Sequence, residues 1–154
     1  MGVAIAKELY ERGADVTLIL GPSKIEVAEN GIHVVKVNTA EEMYNACTKQ
    51  FEKTDLAIMA AAIADYTPVK TESQKIKKAD AGLSLELKRT EDILQSLGKK
   101  KSGKQILVGF ALETENEKEH AIKKLKSKNA DLIVLNSLND AGAGFDSDTN
   151  KITI

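Results

Sequence analysis

The sequence predicts an α/β fold, a mostly parallel sheet wound with helices on both faces. Three observations predict it. Short apolar runs at residues 15–20, 33–37, 56–59, 106–110 and 132–135 are rich in Val, Ile and Leu, and read as buried strands. Longer stretches between them carry apolar residues at helical spacing. Gly, Pro, Thr and Asp punctuate the junctions, where turns and caps belong. Strands separated by helices imply parallel pairing through crossover connections.

The elements follow in order. Residues 3–12 form a helix with Ala4, Ile5 and Leu9 on one side, and Gly13 stands where a C-terminal cap belongs. Residues 15–20 form a strand ended by Gly21-Pro22, and Gly31 precedes a second strand at 33–37. Thr39-Ala40-Glu41-Glu42 is a capping box that opens a helix to about residue 53. Residues 56–59 are the central strand. Leu83, Leu85 and Leu87 alternate with polar residues and predict a half-exposed strand, in a small hairpin with the segment before it. Residues 92–99 form a short helix and 106–110 a buried strand. Thr114-Glu115-Asn116-Glu117 is a second capping box, opening a helix through about residue 128. Residues 132–135 and 151–154 give the last strands. The result is one Rossmann-like, doubly wound domain over residues 1–154, with a lid or hairpin insertion at about 67–82. Such a domain opens with a strand and a Gly-rich turn that points backbone N–H groups at phosphate. Here Met1-Gly2 leads straight into helical sequence, and Ile154 falls in a strand pattern. The expectation is a domain incomplete at both ends, with that first strand and turn missing.

Composition excludes several classes. At 154 residues, 42% hydrophobic and 29% charged, the chain suits one domain with a real core. A net charge of −1 supplies no basic field for nucleic acid or anionic membrane. No apolar stretch reaches bilayer-spanning length, and no basic-then-apolar leader opens the chain, so a cytoplasmic location is the default. A single cysteine, Cys47, excludes an internal disulfide. It lies four residues from both Met43 and Phe51, on the apolar face of a helix. His33 and His120 have no partners at metal-ligand spacing, so no metal site is expected. Residues 146–150 begin like a calcium loop, but Lys151 stands where its glycine belongs, and an acidic turn is the simpler reading.

The chemistry is concentrated after the central strand. Ala60-Ala61-Ala62-Ile63-Ala64-Asp65-Tyr66 puts small residues, then a carboxylate, past the carboxyl end of a strand, where open α/β sheets bind ligands. Lys75-Ile76-Lys77-Lys78 follows on a polar stretch without period. A basic segment tethered there reads as a lid that is mobile when empty and closes on an anion, or as a solvated loop. Lys124 and Lys128 stand at i, i+4 and so share a helix face. Taken alone, Lys123, Lys124, Lys126 and Lys128 read more simply as the wet face opposite Ile122 and Leu125.

These motifs occur in a specific order with Val108-Gly109-Phe110-Ala111-Leu112-Glu113-Thr114, then residues 128–134, then 145–150. Together they resemble phosphopantothenoylcysteine synthetase, the ligase of coenzyme A biosynthesis, in its bacterial form, over nearly the whole chain. The resemblance implies a ligase that joins 4′-phosphopantothenate to cysteine through an acyl-cytidylate formed from CTP, with Mg²⁺ assisting. It implies a homodimer, and a flavin-dependent decarboxylase fused in front or acting separately. It assigns Lys75 as the catalytic, phosphate-clamping lysine of the lid. Met59, Ala60, Ala61 and Asp65 would contact the nucleotide, as would Glu91, Asp92, Ile93 and Leu94 at a turn and helix start. Phe110 would line the nucleotide site, and Lys124 and Lys128 would hold the triphosphate. Thr39 and Ala40 would lie near the phosphopantothenate site. The family often has Asn-Pro-Asp-Ile where this chain has Thr90-Glu91-Asp92-Ile93, which leaves Glu91 its backbone contacts. The family's catalytic asparagine has no counterpart in this sequence. Two other readings stay open: an NAD(P)-dependent oxidoreductase, which would need a Gly-x-Gly-x-x-Gly turn that the chain lacks, and a non-catalytic nucleotide-binding domain.

Overall fold

The structure, a computed structural model, describes residues 1–27, 31–72, 74–76, 83–113, 115–137 and 149–154. Helix α1 (Gly2–Glu11) leads into strands β1 (Val16–Leu20) and β2 (Ile32–Lys36), which pair in parallel with Val16 opposite Ile32. Helix α2 (Ala40–Phe51) precedes β3 (Leu56–Met59), and a short antiparallel hairpin follows, β4 (Tyr66–Pro68) with β5 (Leu87–Arg89). Then come α3 (Ile93–Lys100), β6 (Ile106–Glu113), α4 (Glu117–Ser127), β7 (Leu132–Ser137) and β8 (Ile152–Thr153). The main sheet has the order β3-β6-β7-β8, parallel except for β8, which runs antiparallel to β7.

Both faces of β1 and β2 are covered by helices, as the sequence predicts, although Thr17, His33 and Lys36 are exposed. Val16, Leu18, Ile32 and Val34 pack with Ala6 and Leu9 of α1, while Ile19 and Val35 turn toward α2. The main core joins Met43, Cys47 and Phe51 of α2 to Ile93, Leu94 and Leu97 of α3 and to Leu107, Ala111, Ile133 and Leu135 of the sheet. Leu97 and Leu107 are fully buried. β1–β2 and the main sheet are separate hydrogen-bonded units, and the core around α2 spans them.

Several expectations need adjustment. On α1 the buried residue is Ala6, and Ala4 is exposed. The helix does end at Gly13, whose φ of +88° is left-handed, as a cap requires. Thr39 caps α2 by accepting from the Glu42 N–H at 3.1 Å, but Glu42 reaches to the Asn38 N–H (2.6 Å) rather than to that of Thr39. The cap of α4 is Asn116 in left-handed backbone (φ +47°), with no side-chain cap bond, in place of the box begun at Thr114, which lies outside the described residues. Strand β6 runs three residues further than expected, to Glu113. The polar stretch after Asp65 is not wholly irregular, because Tyr66–Pro68 pairs with Leu87–Arg89. The predicted strand therefore starts at Leu87, with Leu83 and Leu85 ahead of it. Residue 73, residues 77–82 and residues 146–148 of the acidic turn lie outside the described residues, with much of the proposed lid and its Lys77 and Lys78.

Candidate functional site

The site is built where β3 and β6 end and α3 begins. Asp92 is the N-cap of α3 and accepts from the Gln95 N–H at 2.8 Å. Its other carboxylate oxygen accepts from Lys128 Nζ at 2.6 Å. Lys124 Nζ donates to the Phe110 carbonyl oxygen near the end of β6, at 2.7 Å. Four of the predicted residues, Asp92, Phe110, Lys124 and Lys128, are thus fastened into one unit. Thr90, to which the motif comparison gave no role, joins a fifth to them. Its hydroxyl donates to the Ala64 carbonyl (2.7 Å) and its N–H to the Asp65 carbonyl (3.0 Å), clipping the small-residue turn after β3 to the residue that starts the α3 turn.

The lysine face resolves into two kinds. Lys123 and Lys126 are exposed, whereas Lys124 and Lys128 are half-buried with their ammonium groups engaged. Ala121 and Leu125 carry the packed side of α4, and Ile122 is exposed, so the solvated-face reading fails for Lys124 and Lys128. These two lysines, with Asp92, Glu113, His120, Lys123 and Ser127, line an open cleft of about 420 Å³. His120 Nδ1 lies 3.2 Å from a Glu113 oxygen at its rim. Partial burial raises the Asp92 carboxyl. The hydrogen bonds from Lys128 and Gln95 and the charges of Lys128 and Lys124 outweigh it and hold the group below its ordinary value.

The remaining predicted residues take different places. Ile93 and Leu94 are buried in the core, so only their backbone N–H groups, in the first turn of α3, can face a ligand. Glu91 and Asp65 are exposed, and Met59 and Ala60 are half-buried at the end of β3, with Ala61 exposed beyond it. Lys75 is exposed, and among the described residues no hydrogen bond or ion pair ties it to the cleft. Cys47 is buried in the core and burial pushes its thiol up to about 11, as expected of a packing residue. Among the described residues no three His, Cys, Asp or Glu side chains group to hold a metal. No helix among them is long and apolar enough to cross a membrane.

Strand ends and helix N-termini bind anionic ligands in many α/β proteins, and comparison with known proteins narrows the reading. The family described as the DNA/pantothenate metabolism flavoprotein C-terminal domain matches residues 1–154. The chain belongs to this family. It is 46% identical over 154 residues to the coenzyme A biosynthesis bifunctional protein CoaBC of Bacillus subtilis (strain 168), covering 100% of this chain and 38% of that protein. It is 49% identical over 154 residues to a cysteine/cysteine sulfinic acid decarboxylase of an unknown prokaryotic organism, covering 100% of this chain and 43% of that one. The chain therefore spans about two fifths of the length of these relatives. Among solved structures, the crystal structure of the C-terminal domain of CoaBC matches with a TM-score of 0.76 at 39% identity, over 88% of this chain and 62% of that one. The DNA/pantothenate metabolism flavoprotein from Streptococcus pneumoniae matches with a TM-score of 0.75 over 99% of this chain and 79% of that one. At 19% identity that second likeness speaks for the fold alone. The family and the doubly wound α/β architecture agree with what the motif order implied.

Proposed function

We propose that this chain carries the ligase step of coenzyme A biosynthesis that joins 4′-phosphopantothenate to cysteine, with CTP as the activating nucleotide. The observation that carries the reading is the anchored Lys124–Lys128 pair at the N-terminus of α3, in a chain of this family. Two ammonium groups beside the free N–H groups of a helix's first turn suit a polyphosphate. A carboxylate oxygen of 4′-phosphopantothenate attacks the α-phosphorus of CTP, and the bond to pyrophosphate breaks. The acyl-cytidylate so formed is attacked at its acyl carbon by the cysteine amine. The amide forms, the amine gives up a proton to solvent, and CMP leaves.

In this reading Lys124 and Lys128 hold the triphosphate in ground and transition states alike. Lys75 meets the charge that develops on the reacting phosphate. Met59, Ala60 and Ala61 let the nucleoside approach closely because they end a strand with little side-chain bulk after it. Asp65 and Phe110 contact it, and Glu91, Asp92, Ile93 and Leu94 present the helix start. Mg²⁺ enters as the counter-ion that the triphosphate brings, which is how Mg²⁺ is ordinarily held at such sites. The flavoprotein description of the family, with the bifunctional and decarboxylase names of the relatives, supports a flavin-dependent decarboxylase as partner, fused or separate.

The test is product analysis with the full-length protein, 4′-phosphopantothenate, cysteine, Mg²⁺ and CTP. The expected result is CMP and amide product in equal amounts, with ATP a poorer substitute. CTP binding without turnover would point to a non-catalytic nucleotide domain, and binding of a nicotinamide dinucleotide instead would point to an oxidoreductase. Either outcome overturns the proposal.

A further inference from the structure

Lys128 meets α3 at two separate places. Its ammonium reaches Asp92 at the N-cap, and its backbone carbonyl lies against Gly98, six residues further along. Six residues of helix span roughly 9 Å, so the Lys128 side chain runs back along α3 from one contact to the other. Gly98 is what allows the second contact. A Cβ there would overlap the Lys128 carbonyl oxygen, and would stand 2.9 Å from its carbonyl carbon and 3.3 Å from Asn129 Cβ. The obstacle is backbone, which cannot swing aside as a side-chain tip can.

Asn129 closes the joint. Its φ of +50° is left-handed, a conformation that asparagine tolerates better than most residues. Its Nδ2 donates to the Gly98 carbonyl at 2.8 Å. The N–H groups of Asn129 and Ala130 return to the carbonyls of Lys126 and Leu125, the paired bonds of a Schellman end. Asp131 then fastens the segment to the sheet. Its N–H donates to the Leu107 carbonyl (2.8 Å), and its carboxylate accepts from the Leu107 N–H (2.7 Å) and from Lys101 Nζ (2.8 Å). The backbone of Lys128 is thereby held from α3, from the end of its own helix and from β6.

We propose that Gly98 and Asn129 are positioning residues for the cleft: their close contact sets how far the Lys128 ammonium reaches toward the N-terminus of α3. This rests on the reading of the cleft as a triphosphate site, but the joint has a readout of its own. Any side chain at residue 98 pushes the end of α4 outward and withdraws Lys128 from Asp92.

The experiment compares wild type with Gly98→Ala, Asn129→Ala, Asn129→Gly and Lys128→Gln in the full-length protein. The Asp92 carboxyl is titrated by NMR without nucleotide, and CTP is then titrated by calorimetry. Lys128→Gln defines the fully withdrawn state, in which the Asp92 titration moves up. Gly98→Ala and Asn129→Ala should move Asp92 the same way and weaken CTP roughly tenfold, the scale of one charge-assisted hydrogen bond. Their KM for CTP should rise while kcat stays within about twofold. Asn129→Gly, which keeps the backbone conformation, should recover part of both effects. An unchanged Asp92 titration in folded Gly98→Ala and Asn129→Ala proteins overturns the proposal. Should Gly98→Ala fail to fold, the two Asn129 variants decide by the same readouts. If wild type does not bind CTP, the triphosphate reading fails, while the Asp92 titration still decides the joint.

Discussion

Lys124 and Lys128 show how much of a residue's role a sequence can carry. Their i, i+4 spacing places them on one face, which is legible. Their acceptors, Phe110 and Asp92, lie 14 and 36 residues away in the chain, and only the fold brings them close. Thr90 was invisible for the same reason, since its partner carbonyl at Ala64 is 26 residues distant. The roles proposed for the lysines separate kinetically. Lys75→Gln should lower turnover roughly 10²–10³-fold, the scale of one lost electrostatic donor at a transition state, with little change in KM for CTP. Lys124→Gln should raise that KM and leave turnover closer to wild type. Steady-state kinetics with CTP varied checks both, and normal turnover in Lys75→Gln would make the lid segment a solvated loop. The carboxylates give a second prediction. The hydrogen bond from Lys101, then that from the Leu107 N–H, hold Asp131 below its ordinary value, and Asp92 is also lowered. Both groups are more acidic folded than unfolded, so their stabilisation is fully present above the unfolded carboxylate range. It is lost as pH falls through the folded values. Denaturant melts should show stability level between about pH 5 and 7 and declining below about pH 4. Asp131→Asn should reduce that decline, and an unchanged acid limb would contradict the assignment.

At the scale of elements, strands were read more surely than helix starts. A strand announces itself by composition, and residues 56–59 match the bounds of β3 (Leu56–Met59), but β3 lies at the edge of the main sheet rather than at its centre, with Leu56 exposed and Ala57 buried. Helix starts depend on which of several short polar residues takes the cap. Thr39 took it as the capping-box pattern predicted. At α4 Asn116 took it in left-handed backbone, which Asn adopts and Thr resists. On α1 periodicity alone does not fix the buried arc, because Ala4, Ile5 and Ala6 are all small or apolar. The α2 cap is the clean case for measurement. Thr39→Ala removes the acceptor of the Glu42 N–H and should cost about 1 kcal/mol of stability. Chemical denaturation at neutral pH reads this directly, and a loss below a few tenths would mean that Glu42 alone holds the turn.

At the scale of the molecule, the hairpin is one part of the described residues that the fold leaves uncovered. A two-stranded hairpin standing alone is marginal in water. Here β4 and β5 contribute three residues each and pair only with one another among the described residues. Around them Tyr66, Val69, Leu83, Leu85 and Leu87 are all exposed, with Leu83 at 67% and Leu85 at 58%. Clustered exposure of large apolar side chains on an otherwise charged chain marks an interaction surface. The alternating leucines were legible in the sequence, but their exposure was not, because alternation implies one covered face and says nothing of what covers it. A second copy of the chain is the occupant we propose, since two such hairpins meeting would bury both leucine rows and extend each short sheet. Sedimentation of full-length protein at tens of micromolar (a concentration suited to ordinary dimer affinities, roughly) should therefore show a dimer. Leu85→Glu would place a charge in the proposed contact and should give a monomer whose circular dichroism and thermal melt remain those of a folded chain. A wild-type monomer under these conditions would remove the second copy from the hairpin. A dimer indifferent to Leu85→Glu would place the contact elsewhere on the surface.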